Sequence, residues 1–129
     1  MHGMFFNCSS LQILNISNFD TSQVTSMVYM FETCSSLISL NLASFETSKV
    51  EKMDNIFANC PKLAYIDLEN SNIKSLISAK NIFLNISNSL VICSNYDDWN
   101  NLLNGYEISI NCDSISNENI LYQCYKKKY

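Results

Sequence analysis

The sequence is poor in the residues that most catalytic and metal sites require. It has 2 glycines, 1 proline and 1 histidine in 129 residues. A phosphate-binding loop needs closely spaced glycines, and Gly3 and Gly105 are too far apart to form one. A Cys–His nucleophilic pair or a histidine-containing metal site would depend on His2 alone, near the start of the chain. We therefore predict that the chain is not an enzyme and holds no metal or cofactor.

Basic clusters and long apolar runs are also scarce. The chain has 8 Lys and Arg residues against 12 Asp and Glu residues, for a formal net charge of −4. Nucleic-acid binders need clustered basic side chains to neutralise phosphates, and the one basic run, residues 126–128, is typical of a solvated chain end. No stretch approaches the roughly 18 apolar residues of a membrane-spanning helix, and the first residues lack signal-peptide features. We predict no nucleic-acid partner and no membrane insertion by this chain.

Two adjacent acids, Asp97 and Asp98, precede the single tryptophan, Trp99. The carboxylates of a sugar-cleaving site must converge from separate elements, whereas neighbours on one helical turn diverge. The N-terminus of a short helix accounts for both acids. We therefore predict that Trp99 anchors the core of a C-terminal region rather than a bound sugar.

What the sequence does contain is a repeat. Three cysteines recur every 26 residues, and the apolar positions around them keep the same spacing. Self-similarity of this kind indicates stacked units that share a continuous core, because one unit cannot bury its apolar face alone. The positions in phase include Cys8, Cys34 and Cys60; Leu11, Leu37 and Leu63; Leu14, Leu40 and Ile66; and Phe5, Phe31, Phe57 and Phe83.

Within each unit the apolar spacing changes. Residues 11–16 follow the pattern L-x-x-L-x-L, whose last residues alternate as in a strand. Val24, Met27 and Phe31 then fall on one face of a helix, and Ser22 can cap its start. The sequence thus predicts strands near residues 13–17, 39–43 and 65–69, parallel in one sheet, with helices near 23–32 and 49–58 opposite.

The shared pattern, MFxxCSSLxxLNLxxFxTSxVxxM, resembles the 26-residue repeat of BspA-like leucine-rich-repeat surface proteins. The resemblance covers residues 1–86. It implies an α/β fold: a right-handed leucine-rich-repeat solenoid with a parallel β-sheet on the concave face and short helices opposite. It also implies an extracellular or cell-surface location and a role in adhesion. The third unit departs from the pattern, since Ser71 and Ile73 stand where the first two units have Phe and Thr.

The chain divides into two predicted regions. Residues 1–86 are the repeats, and residues 87–129 are a C-terminal α/β capping region. Met1 aligns with Met27 and Met53, so the chain begins inside a unit, and we expect further residues to precede it. We therefore predict a monomer that forms part of a longer chain.

The six cysteines fall into two groups. The three repeat cysteines occupy one ladder position and are predicted to be buried free thiols, with a disulfide between adjacent units as the alternative. The capping region has an odd number, so one cysteine can pair elsewhere. Cys93 and Cys112 end neighbouring predicted strands and form the preferred disulfide. A Cys112–Cys124 bond is the alternative, and the partner of Cys124 stays open.

Outward-facing strand residues are the candidate ligand contacts, because stacked repeats use such an extended face for recognition. The row in the third unit, Tyr65, Asp67 and Glu69, combines an aromatic ring with two acids and suits a polar or cationic ligand. Asn15 and Asn41 hold the equivalent positions in the first two units. The alternative is ordinary solvated strand surface. Asn15 and Asn85 are also glycosylation sequons if the source is a secretory eukaryote.

We predict a non-catalytic extracellular or surface module for recognition or adhesion, binding a protein or glycan ligand on the concave face. One alternative is a structural spacer made of units from a longer surface protein. Another is an accessory domain of a secreted enzyme. A ligand that binds the chain would distinguish the first from the second.

Overall fold

The computed structural model describes residues 1–94 and 98–102. These contain three strands, Ser39–Asn41 (β1), Tyr65–Asp67 (β2) and Val91–Cys93 (β3), and one helix, Asp98–Leu102 (α1). The strands form a parallel sheet in the order β1-β2-β3. Leu40 pairs with Ile66, and Ile66 pairs with Ile92. Successive units therefore stack in phase, at the spacing that the repeated leucines predict.

We number the units from the start of the chain: unit 1 is residues 1–26, unit 2 is 27–52, unit 3 is 53–78 and unit 4 begins at 79. The units contact one another at three places. The first is the strand side, formed by β1–β3. The second is a ladder of single bridges that joins Ser26 to Lys52 and Lys52 to Ser78. The third, which we call the turn edge, comprises residues 2–8, 28–34, 54–60 and 80–86.

The predicted fold class is wrong. The segments 23–32 and 49–58 are turns and contain no helix, and the predicted strand at 13–17 is absent. The predicted strands at 39–43 and 65–69 shorten to β1 and β2. With a single five-residue helix in its described part, the chain is not a right-handed α/β leucine-rich-repeat solenoid with helices opposite the sheet.

The backbone of the turn edge explains why helices do not form there. Tyr29, Thr33, Asn55 and Asn59 all have positive φ, between 54° and 62°, whereas an α-helix needs φ near −60°. Alternate amides of this edge also donate to the next unit; the N–H of Phe31, for example, donates to the carbonyl of Ile56 at 3.0 Å. Those amides are then unavailable for helical bonds. The prediction from helical apolar spacing was correct for which side chains face inward and wrong for the backbone conformation.

The core is a set of ladders in which equivalent side chains stack. Phe5, Phe31, Phe57 and Phe83 form one ladder, with neighbouring ring centroids 5.5, 6.0 and 5.8 Å apart and nearly parallel planes. The leucines and isoleucines of the repeat form others, and they are fully buried in units 2 and 3. Burying such a side chain contributes roughly 1.5–3 kcal/mol. The fold therefore draws most of its stability from contacts between units.

The cysteine ladder consists of free thiols, as predicted. The Cys34 thiol donates to the carbonyl of Phe5 at 3.2 Å, and the Cys60 thiol donates to the carbonyl of Phe31 at 3.1 Å. Each thiol thus bonds to the preceding unit. Burial raises the pKa of Cys34 to about 11 and that of Cys60 to about 12, because a thiolate there would lose its hydration.

A threonine ladder joins the units by hydrogen bonds. The Thr21 hydroxyl accepts from the N–H of Glu46 at 2.8 Å and donates to its carbonyl at 3.2 Å. The Thr47 hydroxyl donates to the carbonyl of Asn72 at 2.8 Å. Both threonines are buried. The third unit has Ile73 at the equivalent position, so this bond stops where the repeat pattern ends.

The junction between the repeats and α1 lies at the second position where unit 3 differs from the repeat pattern. Ser71 replaces the repeated phenylalanine, and Trp99 of α1 packs beside it in the core, where only 1% of its surface is exposed. The Trp99 indole N–H donates to the Ser71 carbonyl at 3.1 Å. Trp99 is therefore buried, but in the core of the repeats and not in the core of a separate C-terminal region as predicted. Of the predicted capping region 87–129, residues 95–97 and 103–129, which include Cys112 and Cys124, lie outside the described residues.

Candidate recognition surface

The predicted contact positions on the strands share a local structural role. The side-chain oxygen of Asn15 accepts the N–H of Ser17 at 3.1 Å. Asn41 accepts the N–H of Ala43 at 2.9 Å in the same way, and Asp67 accepts that of Glu69 at 3.0 Å. Such bonds to the amide two residues on are typical of turns at the end of a strand. This column therefore needs Asn or Asp to turn the chain.

The exposure of the residues in this column falls from unit 1 to unit 3. Asn15 is exposed, Asn41 is half-buried, and Asp67 is only 6% exposed. Tyr65 is 3% exposed, although both flanking positions of the sheet, Ser39 and Val91, are half-buried. The prediction that Tyr65 and Asp67 form an exposed surface is wrong for these two residues. Their role in binding a ligand stays a prediction.

Asp67 is held in an environment that disfavours its charge. Burial raises the pKa of its carboxyl, the hydrogen bond from the Glu69 N–H lowers it, and the nearby Glu69 carboxylate raises it further. Glu69 is itself half-buried and makes another contact. The Glu69 carboxylate thus lies close enough to Asp67 to add to the cost of ionising the Asp67 carboxyl.

The remaining predicted site residues are placed as follows. Cys93 is buried and is not a free thiol, while its predicted disulfide partner, Cys112, lies outside the described residues. The Cys93–Cys112 bond therefore stays a prediction. In the Asn85 sequon, the side-chain N–H of Asn85 donates to the Asn59 side chain at 2.8 Å. Glycosylation of Asn15 or Asn85 also stays a prediction.

The structure exposes two aliphatic side chains on the strand side that were not among the predicted contacts. Ile13 is 72% exposed and Ile38 is 49% exposed. The N–H of Ile38 donates to the carbonyl of Gln12, the residue before Ile13, so the two isoleucines lie at adjoining positions of units 1 and 2. Alternation in unit 1 already indicated that Ile13 points outward. No sequence signal indicated that Ile38 is exposed.

The chemistry available in the described residues is limited. They contain no group of three or more His, Cys, Asp and Glu side chains that could hold a metal ion. None of the helices described is long and apolar enough to cross a membrane.

Comparison with protein families agrees with the prediction that residues 1–94 contain repeats. A family model described as Mycoplasma protein of unknown function, DUF285, matches residues 1–100. The chain belongs to this family. The match includes every described repeat and the start of α1, and it is consistent with a surface repeat protein. It does not support the finer resemblance to BspA-like proteins. No curated protein and no solved structure matches the DUF285 chain significantly.

Proposed function

We propose that this DUF285 chain is a non-catalytic recognition module of a surface protein, and that it binds a protein ligand on its strand side. The observation that supports this most directly is the exposure of Ile13 and Ile38 at adjoining positions of units 1 and 2. The repeat does not require an aliphatic residue at either position. The equivalents of Ile13 are Ser39, Tyr65 and Val91, and those of Ile38 are Gln12, Ala64 and Leu90.

The energetics favour a protein partner over a glycan. Covering an exposed aliphatic side chain removes apolar surface from water, at roughly 25 cal/mol per Å². Isoleucine offers a sugar neither a hydrogen bond nor an aromatic face. The nearby polar side chain, Asn15, is already engaged with the amide and hydroxyl of Ser17. The exposed contact area is therefore mainly apolar, as in the core of a protein interface.

Adhesion of beads coated with the full 129-residue chain to cultured epithelial cells tests this proposal. The double variant Ile13→Ser/Ile38→Ser should lose most of the adhesion, because both apolar contacts are removed. Ile77→Ser is the matched control, since Ile77 is 76% exposed and lies next to the bridge between Lys52 and Ser78 rather than next to the sheet. Far-ultraviolet circular dichroism checks that all the chains are folded. Equal adhesion by the double variant and the control would contradict the strand-side surface.

A structural spacer is the second candidate. It is supported by the column Asn15, Asn41 and Asp67, whose side chains all serve turns. If beads carrying the unmodified chain adhere no better than uncoated beads, the spacer is the better description. The family match is consistent with a surface repeat protein, and such a location would fit both functions equally.

A further inference from the structure

The left-handed residues of the turn edge follow a rule with two exceptions. Among residues 1–94 and 98–102, eight have positive φ, and they occupy two equivalent columns of the repeat. Glycine and asparagine adopt this conformation most readily, and six of the eight are Gly or Asn. The exceptions are Tyr29 and Thr33, both in unit 2. The first column is Gly3, Tyr29, Asn55 and Asn81, and the second is Asn7, Thr33, Asn59 and Asn85.

Both exceptions line the same surface cavity. This cavity has a volume of about 580 Å³ and opens on the turn edge of units 1 and 2. His2, Gly3, Phe6 and Glu32 complete its lining. The sequence therefore departs from its own backbone rule at two positions that face one pocket. Unfavourable backbone conformations of this kind cluster at binding sites, where the side chain is needed.

The aromatic rings of the cavity are arranged around Tyr29. The Phe6 ring lies 6.5 Å from the Tyr29 ring at an interplanar angle of 64°, and the His2 ring lies 5.5 Å away at 87°. Phe6 is 55% exposed and Tyr29 is 38% exposed, so these contacts leave much of both rings open to solvent. Packing within this chain thus uses only part of the surface that Tyr29 offers.

The charge of the lining indicates the kind of ligand. Glu32 contributes a carboxylate, and neither Lys nor Arg lines the cavity. The faces of aromatic rings carry negative electrostatic potential and attract cations, most strongly where water is excluded. A carboxylate beside several rings is the composition that recognises an ammonium group carrying alkyl substituents. An anion would be repelled by the carboxylate, and a neutral sugar could donate hydrogen bonds to it but would not balance its charge.

We propose that the cavity formed by His2, Phe6, Tyr29 and Glu32 binds an alkylammonium cation. The cation can be a free quaternary ammonium compound or the side chain of a lysine, since both present the same charge on an alkyl stem. This inference does not depend on the strand-side surface, which lies on another part of each unit. Loss of one site would leave the other intact.

Titrations of the isotopically labelled full chain, followed by amide chemical shifts, test the proposal with three probes. Choline and N-acetyl-lysine methylamide carry the cation, and 3,3-dimethylbutanol is the neutral counterpart of choline. Choline, the lysine analogue or both should shift the amides of residues 2–6 and 29–33 saturably, and 3,3-dimethylbutanol should bind at least about ten-fold more weakly. Binding of choline alone would identify the small-molecule source, and binding of the lysine analogue alone would identify the side-chain source. If neither cation produced saturable shifts, or if the neutral probe bound as tightly as the cations, the proposal would be overturned.

Three variants separate binding from folding. Glu32→Gln should weaken binding of the cation about ten-fold, whereas Glu51→Gln, which changes an exposed acid of the same unit, should leave it unchanged. Tyr29→Asn should abolish binding and also raise the unfolding midpoint, because asparagine suits the left-handed backbone. A lower midpoint for Tyr29→Asn would show that Tyr29 is kept for stability, and it would overturn the argument from backbone conformation.

Discussion

Units 1 and 2 have nearly the same apolar residues and differ in how deeply they bury them. Phe31 has no exposed surface, whereas its equivalent in unit 1, Phe5, is only half-buried. Phe45 is 1% exposed, and its equivalent Phe19 is 37% exposed. Unit 2 packs between two neighbours, while unit 1 packs against one. Residue type therefore sets which side chains face inward, and the neighbouring units set how much of each is buried.

Polar ladder residues behave differently. Thr21 of unit 1 and Thr47 of unit 2 are both 2% exposed. Each bonds to the unit that follows it, so a neighbour on that side alone is enough to bury the hydroxyl. The comparison separates contacts that need one neighbour from contacts that need two.

The largest expected effect concerns the phenylalanine ladder. Phe31→Ala should lower the free energy of unfolding by about 3–5 kcal/mol, since it leaves a cavity between two stacked rings. Phe5→Ala should cost clearly less, because its ring is already partly hydrated. Urea unfolding of the full chain, followed by circular dichroism, measures both. Equal losses would show that unit 1 is as tightly packed as unit 2.

A smaller effect is expected at the threonine ladder. Thr47→Val keeps the shape of the side chain and removes the hydroxyl that bonds to Asn72. It should lower the free energy of unfolding by about 1–2 kcal/mol, because a part-buried carbonyl loses its partner. Thr25→Val is the matched control, since Thr25 is exposed, and its effect should be near zero. If the Thr47 variant were as stable as the control, the ladder bond would contribute nothing.

The smallest expected effect for a single side chain is alkaline destabilisation by each thiol of the cysteine ladder. The pKa values of Cys34 and Cys60 are raised in the folded chain, so stability is unaffected well below the ordinary thiol pKa of 9.0. It falls as the pH rises from there towards about 11 for Cys34 and about 12 for Cys60, since only the unfolded chain ionises freely. At pH 10 the loss should be roughly 1 kcal/mol for each thiol.

Urea unfolding at pH 7 and pH 10 measures this loss, with Cys60→Ala as the variant in which it should shrink. Alkylation of the folded chain at pH 8 provides a second measurement. Cys8 of unit 1 is half-buried and should react first, and Cys34 and Cys60 should react together with global unfolding. Alkylation of all three at one rate would contradict the difference between the units.

The side-chain ladders and the strand pairing could be predicted from the repeat, because each depends only on equivalent residues of neighbouring units. Side chains that recur every 26 residues must share a core if the units stack, so the ladders of Phe and Cys and the pairing of Leu40 with Ile66 follow directly. The short helix at Trp99, predicted from the acids that precede it, corresponds to α1. These predictions needed only the alignment of the 26-residue units and the local sequence around Trp99.

The helices could not be predicted correctly, because turns with inward side chains at similar intervals give the same apolar spacing. The asparagines at positions 55, 59, 81 and 85 carried a signal for left-handed backbone, which the apolar pattern of the repeat obscured. The predicted contact row failed for another reason. Alternation places Tyr65 and Asp67 on the outward face of β2, but it says nothing about whether that face is covered.

The sequence by itself determined the length of the repeat and the side chains that form each ladder, because both follow from equivalent residues meeting across units; that the ladder thiols are free was decided by the structure. Only the tertiary structure decided the backbone path and the exposure of the surface. Amides of the turn edge bond to the next unit in place of their own segment, and this competition is settled by the stack as a whole. The pocket around Tyr29 exists for the same reason: residues from two units, distant in sequence, meet there only after the units have stacked.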